Sequence, residues 1–136
     1  MKNLLGLEIA ETKKEKTVAK KPNWNFINLL TEKDKRCYNE YKEEEVQFYI
    51  TMMTKNLVNI YQILTVPPHS DQSQITGLKG YPLQLAQMNS ILYTEKEIQK
   101  ALTSLRNCAK LIIQGKLSAD LGFKVFMANL VTNNYR

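Results

Sequence analysis

VQFYITMMTKNLVNIYQILTV, residues 46–66, is the stretch that decides the fold. Val46, Tyr49, Met53, Leu57, Ile60 and Leu64 recur every three or four positions, which is one stripe of an amphipathic helix. Phe48, Ile50, Met52, Tyr61 and Ile63 widen that stripe beyond a single contact face. The helix is therefore expected at the centre of a bundle, with neighbours on more than one side. Pro67-Pro68 ends it, because the residue before a proline disfavours helix.

Upstream, Asn23 is a good N-cap for a short helix carrying Trp24, Ile27 and Leu30, with Phe26 and Leu29 on a second edge. Thr31-Glu32-Lys33-Asp34 reads as another start signal, a capping threonine followed by first-turn acids. It predicts that the long helix begins near residue 32 and runs to 65. At about 1.5 Å per residue such a helix would outrun a domain of this size. Its charged first third, EKDKRCYNEYKEEE, is thus expected to project or to break near Lys42.

Downstream, residues 67–81 collect Pro, Ser, Asp and Gly and read as a long loop. Pro82 suits the first turn of the next helix. Thr94-Glu95-Lys96-Glu97 has the capping-box pattern, and the helix behind it carries Ile98, Leu102, Leu105, Ala109 and Ile112 on one stripe up to Gly115. Ser118 and Asp120 open a last helix with Leu121, Val125, Phe126, Leu130 and Val131. No segment alternates as a strand would. The expected fold is all-α, a compact bundle of four to five helices over residues 23–136, preceded by a flexible N-terminal arm over residues 1–22.

Composition narrows the function classes. A chain of 136 residues can bury a core without metal or disulfide staples. Two cysteines make no disulfide framework, and Leu4–Ile9 is too short and too acidic for a secretory or mitochondrial leader. A reducing, cytoplasmic setting is expected, and no apolar run reaches the length of a membrane span. The net charge of +6 comes from sixteen Lys and three Arg against thirteen acids, and it concentrates at the two ends of the chain. A Lys- and Asn-rich composition also matches AT-rich coding, as in phages, viruses and low-GC bacteria. Lysine is a point charge, so any nucleic-acid contact is expected at phosphate rather than at base edges.

Each catalytic constellation lacks a member. His69 is the only histidine, and His69-Ser70-Asp71 in sequence does not place a base between nucleophile and orienter. Cys37 and Cys108 lie on apolar helix edges and read as core filler. No zinc spacing, di-iron motif, phosphate loop or calcium loop occurs, so no cofactor and no metal are expected. Glu40, Glu43, Glu44 and Glu45 read as a solvated face, and Gly77-Leu78-Lys79-Gly80 as a turn. Residues 94–131 resemble a helix-turn-helix in layout. The second helix offers only Lys124 and Asn129 to bases, so a structural αα-hairpin is the better reading. Tyr38, Tyr41, Tyr49 and Tyr61 are assigned to the core rather than to base stacking.

What remains is binding. Leu4, Leu5, Leu7 and Ile9 form an apolar tip too short to bury itself, on a lysine-rich tether, and read as a motif that docks on a protein partner, with packing on its own domain and contact with a membrane surface as the alternatives. The expected function is a non-enzymatic adaptor or regulatory protein holding a larger assembly. The competing reading is sequence-independent nucleic-acid binding through Lys13, Lys14, Lys16, Lys20 and Lys21, together with Lys96, Lys100, Arg106 and Lys110 in the basic C-terminal half. Self-association through the broad apolar helix is a third possibility.

Overall fold

The structure, a computed structural model, describes residues 23–67 and 70–136. Among the described residues every regular element is helical: α1 (Trp24–Thr31), α2 (Cys37–Glu40), α3 (Val46–Thr65), α4 (Gln72–Thr76), α5 (Gly80–Asn89), α6 (Glu95–Ile113) and α7 (Ala119–Val131), with 3-10 turns at Glu43–Glu45 and Ser90–Leu92. Five of these helices run eight residues or more, and they make the bundle that the periodicity implies. α3 is central, packing on α1, α4, α5, α6 and α7. Its stripe Val46, Tyr49, Met53, Leu57 and Ile60 is buried.

The region between α1 and α3 departs from expectation in an informative way. Thr31 does not open a helix; it closes α1. Lys33 takes a left-handed backbone (φ 59°), its N–H bonds Leu30 O at 2.9 Å, and Asp34 N–H bonds Leu29 O at 2.9 Å. That is a Schellman end with lysine where glycine is usual. The left-handed conformation costs a non-glycine residue about 1 kcal/mol or more. Its return is the direction of the side chain: Lys33 Nζ reaches the carboxylate of Glu97, Leu92 O at 2.9 Å and Asn133 Oδ1 at 2.6 Å. Asn133 ends α7 in the same left-handed way (φ 64°). Two helix ends are thus turned toward one buried glutamate.

The 32–65 helix expected from the sequence is therefore two helices and a 3-10 turn, and the break falls at Tyr41-Lys42, both extended. Tyr49 explains the bend. Its hydroxyl accepts from Lys42 N–H at 3.1 Å and from Asn23 Nδ2 at 3.1 Å, gathering the chain entry and the break onto α3. Phe26, Tyr41, Tyr49 and Phe123 then form one aromatic cluster, with the Phe26 and Tyr49 centroids 4.1 Å apart. Residues 67–81 are not wholly loop, because Asp71 caps the short α4 through Gln74 N–H at 3.3 Å. α5 begins at Gly80, so Pro82 sits in its first turn as its fixed φ favours.

Both cysteines are buried, as core filler should be. Burial pushes the Cys37 thiol up from 9.0 to about 11, with Asp34 adding to the rise. A raised folded-state value means that stability is intact below pH 9.0, the unfolded value, and falls as pH climbs toward about 11. Burial raises Tyr41, Tyr49 and Tyr93 with the same sign, whereas burial lowers Lys33, which favours the folded state as pH rises toward 10.5. Urea midpoints measured from pH 8 to 11 should therefore fall in the wild type, and the fall should be shallower in Cys37→Ala. Parallel curves would show that this thiol titrates alike in both states.

Candidate functional site

The last two long helices form a hairpin whose outer seam stays open. At its start, Glu97 N–H bonds Thr94 Oγ1 at 3.1 Å and Thr94 N–H bonds Glu97 Oε1 at 3.3 Å, the capping box expected from the sequence. At the turn, Gly115 supplies the left-handed residue (φ 73°) that reverses the chain, and Ser118 Oγ caps α7 through Leu121 N–H at 3.1 Å. α7 is apolar nearly all round, but only one side of it is used by the core. Phe123, Phe126, Met127 and Leu130 are buried, while Leu121 and Val125, one turn apart, are 56% and 54% exposed.

Leu121 and Val125 line a groove of about 750 Å³ with Leu111 and Leu117, over a floor that includes Cys108 and Phe126. Gly122 lets the two helices close beneath it. A Cβ at that position would stand 2.7 Å from Leu117 Cδ2 and 2.8 Å from Cys108 Sγ. Ser104 and Tyr135 share a hydroxyl hydrogen bond of 2.7 Å on the wall. Ile113, just beyond Leu111, is 85% exposed and extends the apolar surface at the end of α6.

The groove's electrostatics are cationic. Lys100 lines it, and Lys96 lies one turn earlier on α6. Lys96, Lys100, Arg106 and Lys110 are all exposed, and none has an ion pair among the described residues. At ~100° per residue they spread over roughly a third of the helix circumference, so only Lys96 and Lys100 flank the groove closely. The nearby acid is already engaged. Tyr41 donates to Asp120 Oδ1 at 2.6 Å and, with Lys124 at 3.2 Å, holds the Asp120 carboxyl below its usual range.

The other sequence candidates fall as follows. Leu4, Leu5, Leu7 and Ile9, Lys13, Lys14, Lys16, Lys20 and Lys21, and His69 lie outside the described residues. Lys124 and Asn129 are bound internally, Lys124 to Asp120 and Asn129 to Asn134 at 3.0 Å, which favours the αα-hairpin reading. Gly77 ends α4 in the left-handed region (φ 78°), as a turn glycine does. The four tyrosines do not share one helix: Tyr38 is on α2, Tyr41 in the break, Tyr49 and Tyr61 on α3, and only Tyr49 is fully buried. Glu45 accepts from Asn23 N–H at 3.2 Å, while Glu43 and Glu44 face solvent. Among the described residues no three His, Cys, Asp or Glu converge as metal ligands, and no helix is long and apolar enough to cross a membrane.

Two features escaped the sequence. Glu97 was legible as a capping residue but not as a fully buried one, since its cations come from Lys33 and Arg136. The split of α7 into a buried and an exposed apolar side had one available signal: too many apolar positions for one face. The fold and groove define a helical bundle with an open hairpin seam. No protein-family model matches the chain, and neither a curated protein nor a solved structure matches it.

Proposed function

We propose that this chain is a non-enzymatic helical adaptor that grips an acidic amphipathic helix of a larger protein or nucleoprotein assembly in the α6–α7 groove. Leu4, Leu5, Leu7 and Ile9 supply a second contact in this reading. The observation that carries it is the pair Leu121 and Val125, large apolar side chains left more than half exposed on the lip of a groove. Contiguous exposed apolar surface with a polar rim is what marks interaction sites. A helix laid in a groove presents apolar anchors every three to four residues, which suits a seam between two helices. The choice of an acidic partner follows from charge: Lys96 and Lys100 flank the seam, and Asp120 is already paired.

Peptide-display selection on the full chain tests this. The winners are expected to be helix formers with apolar i, i+3, i+4, i+7 anchors flanked by Asp or Glu. Leu121→Asp and Val125→Asp, both at exposed positions, should each weaken the winning peptide about tenfold or more, as loss of a central interface anchor does. Winners that bind both variants as well as the wild type would refute the groove reading.

A second reading has its own observation: Lys96, Lys100, Arg106 and Lys110 are exposed and have no ion pair among the described residues. It has the protein holding nucleic-acid backbone. A salt titration with generic single- and double-stranded DNA and RNA decides it. Binding at about 50 mM salt should fall steeply with salt, and the slope should drop in Lys96→Gln/Lys100→Gln. Absence of binding at tens of micromolar protein removes this reading.

A further inference from the structure

Apart from the hairpin groove, with which it shares no lining residue, a cleft of about 450 Å³ lies among α1, α3 and α5. Its walls are largely apolar, from Ile27, Met52, Ile60, Leu85 and Ala86, and two exposed aromatic rings, Trp24 and Tyr81, stand among its lining. Into it the three helices bring four carboxamides: Asn28 from α1, Asn56 and Asn59 from α3, and Asn89 from α5. Asn56 donates to Thr31 Oγ1 at 3.1 Å, and Thr31 in turn donates to Ile27 O. The side chains of Asn28, Asn59 and Asn89 have no hydrogen-bond partner among the described residues. Asn89 is only 8% exposed, although it lines the cleft.

A buried amide without a partner is costly, and folded proteins hold very few of them. Asn89 is such an amide, and it shares one cleft with the half-buried amides of Asn28 and Asn59, brought there from the other two helices. The lining specifies its chemistry. Apolar walls with two aromatic rings and polar groups at a few points suit a molecule with apolar faces and a polar edge. A sugar presents hydroxyls on every side, and an extended peptide has no flat face. A carboxamide offers one donor and one acceptor side by side, the complement of the adenine N6 and N7 edge. Aromatic rings stack on a base. Lys55, the one charged residue of the lining, is exposed and has no ion pair among the described residues, which suits a phosphate. The volume is within the range of small-ligand sites.

We propose that this cleft binds an adenine nucleotide unit, with the Asn59 and Asn89 carboxamides reading the base edge, Trp24 or Tyr81 against the base face and Lys55 on the phosphate. The unit is either a free nucleotide or one unstacked base of a single strand, and the two sources are separable. Calorimetric titration of the full chain with AMP, GMP, CMP and adenosine, and with oligo(dA) and oligo(dT), reads both.

AMP or oligo(dA) should bind about tenfold more tightly than its non-adenine counterpart, the discrimination a bidentate amide contact provides. AMP as the tighter ligand assigns a free nucleotide, and oligo(dA) assigns a strand. Lys55→Gln should weaken AMP but not adenosine. Asn89→Ala should abolish the preference without lowering the melting temperature, since it removes an amide that has no partner. Asn59→Ala, at a half-buried position, gives the same readout should the buried substitution disturb folding. Leu121→Asp should leave this binding unchanged, which separates it from the docking groove. The proposal is overturned if no adenine compound binds at millimolar concentration, if binding ignores the base, or if Asn59→Ala and Asn89→Ala both bind AMP as the wild type does.

Discussion

Glu97→Ala should destabilise the protein by about 3–5 kcal/mol, the range for breaking a buried ion pair from one side. For a domain of this size that corresponds to a fall of about 10–20 °C in Tm. Glu97 is fully buried, and each of its oxygens is used. Oε2 takes Lys33; Oε1 takes Arg136 Nε at 3.3 Å and Thr94 N–H at 3.3 Å. Removing the carboxylate strands Lys33, whose side chain is 9% exposed, above the Tyr93 ring at 4.5 Å. It also unmakes the cap of α6. The two directions of the cluster are not equivalent. Lys33→Met leaves Glu97 with Arg136 and Thr94, and should cost less. The double variant Lys33→Met/Glu97→Leu should recover part of the single loss, because an apolar pair of similar size satisfies itself. Urea denaturation of the three variants measures this. A loss below about 1 kcal/mol in Glu97→Ala would place this carboxylate with ordinary surface pairs.

Tyr49→Ala is expected to cost a similar amount, about 3–5 kcal/mol, as other large aromatic-to-alanine changes in cores do. The ring is fully buried against Phe26 at 4.1 Å, Phe123 at 5.7 Å and Tyr41 at 5.8 Å. Its hydroxyl is a separate contribution, isolated by Tyr49→Phe. That variant leaves Lys42 N–H without its side-chain acceptor and Asn23 Nδ2 with Glu40 O alone, and should cost about 1–2 kcal/mol. The local consequence is specific. The Tyr41-Lys42 break should become more open to amide exchange in Tyr49→Phe, while α6 amides stay protected. Equal losses in the two variants would mean that the hydroxyl, not the ring, anchors the junction.

The sequence made some of this fold legible because those features are local. The stripe of α3, the Asn23 cap of α1, and the Thr94–Glu97 box with Gly115 beyond it each involve residues within a few turns of one another, and the structure has each where the pattern puts it. Thr31-Glu32-Lys33-Asp34 misled for the opposite reason. Its composition suits a helix start, but Lys33 is committed to Glu97, sixty-four residues away in sequence, and that contact turns the stretch into a helix end. The docking groove was hidden by a related limit. The apolar run of α7 shows that many positions want burial, and only the packing of Phe123, Phe126 and Leu130 against the core shows that Leu121 and Val125 are left over. The asparagines of the α1–α3–α5 cleft are scattered over the chain and carry no spacing signal at all.

The most direct test of the adaptor reading is where a bound partner helix lands. An amide correlation spectrum of the labelled full chain should be followed while the display-selected acidic peptide is titrated in. The shifted amides should cluster on Leu111, Leu117, Leu121 and Val125, with Lys96 and Lys100 at the margin, while the α5 amides stay still. Shifts centred on α1, α3 or α5, with the hairpin seam unmoved, would contradict the adaptor reading.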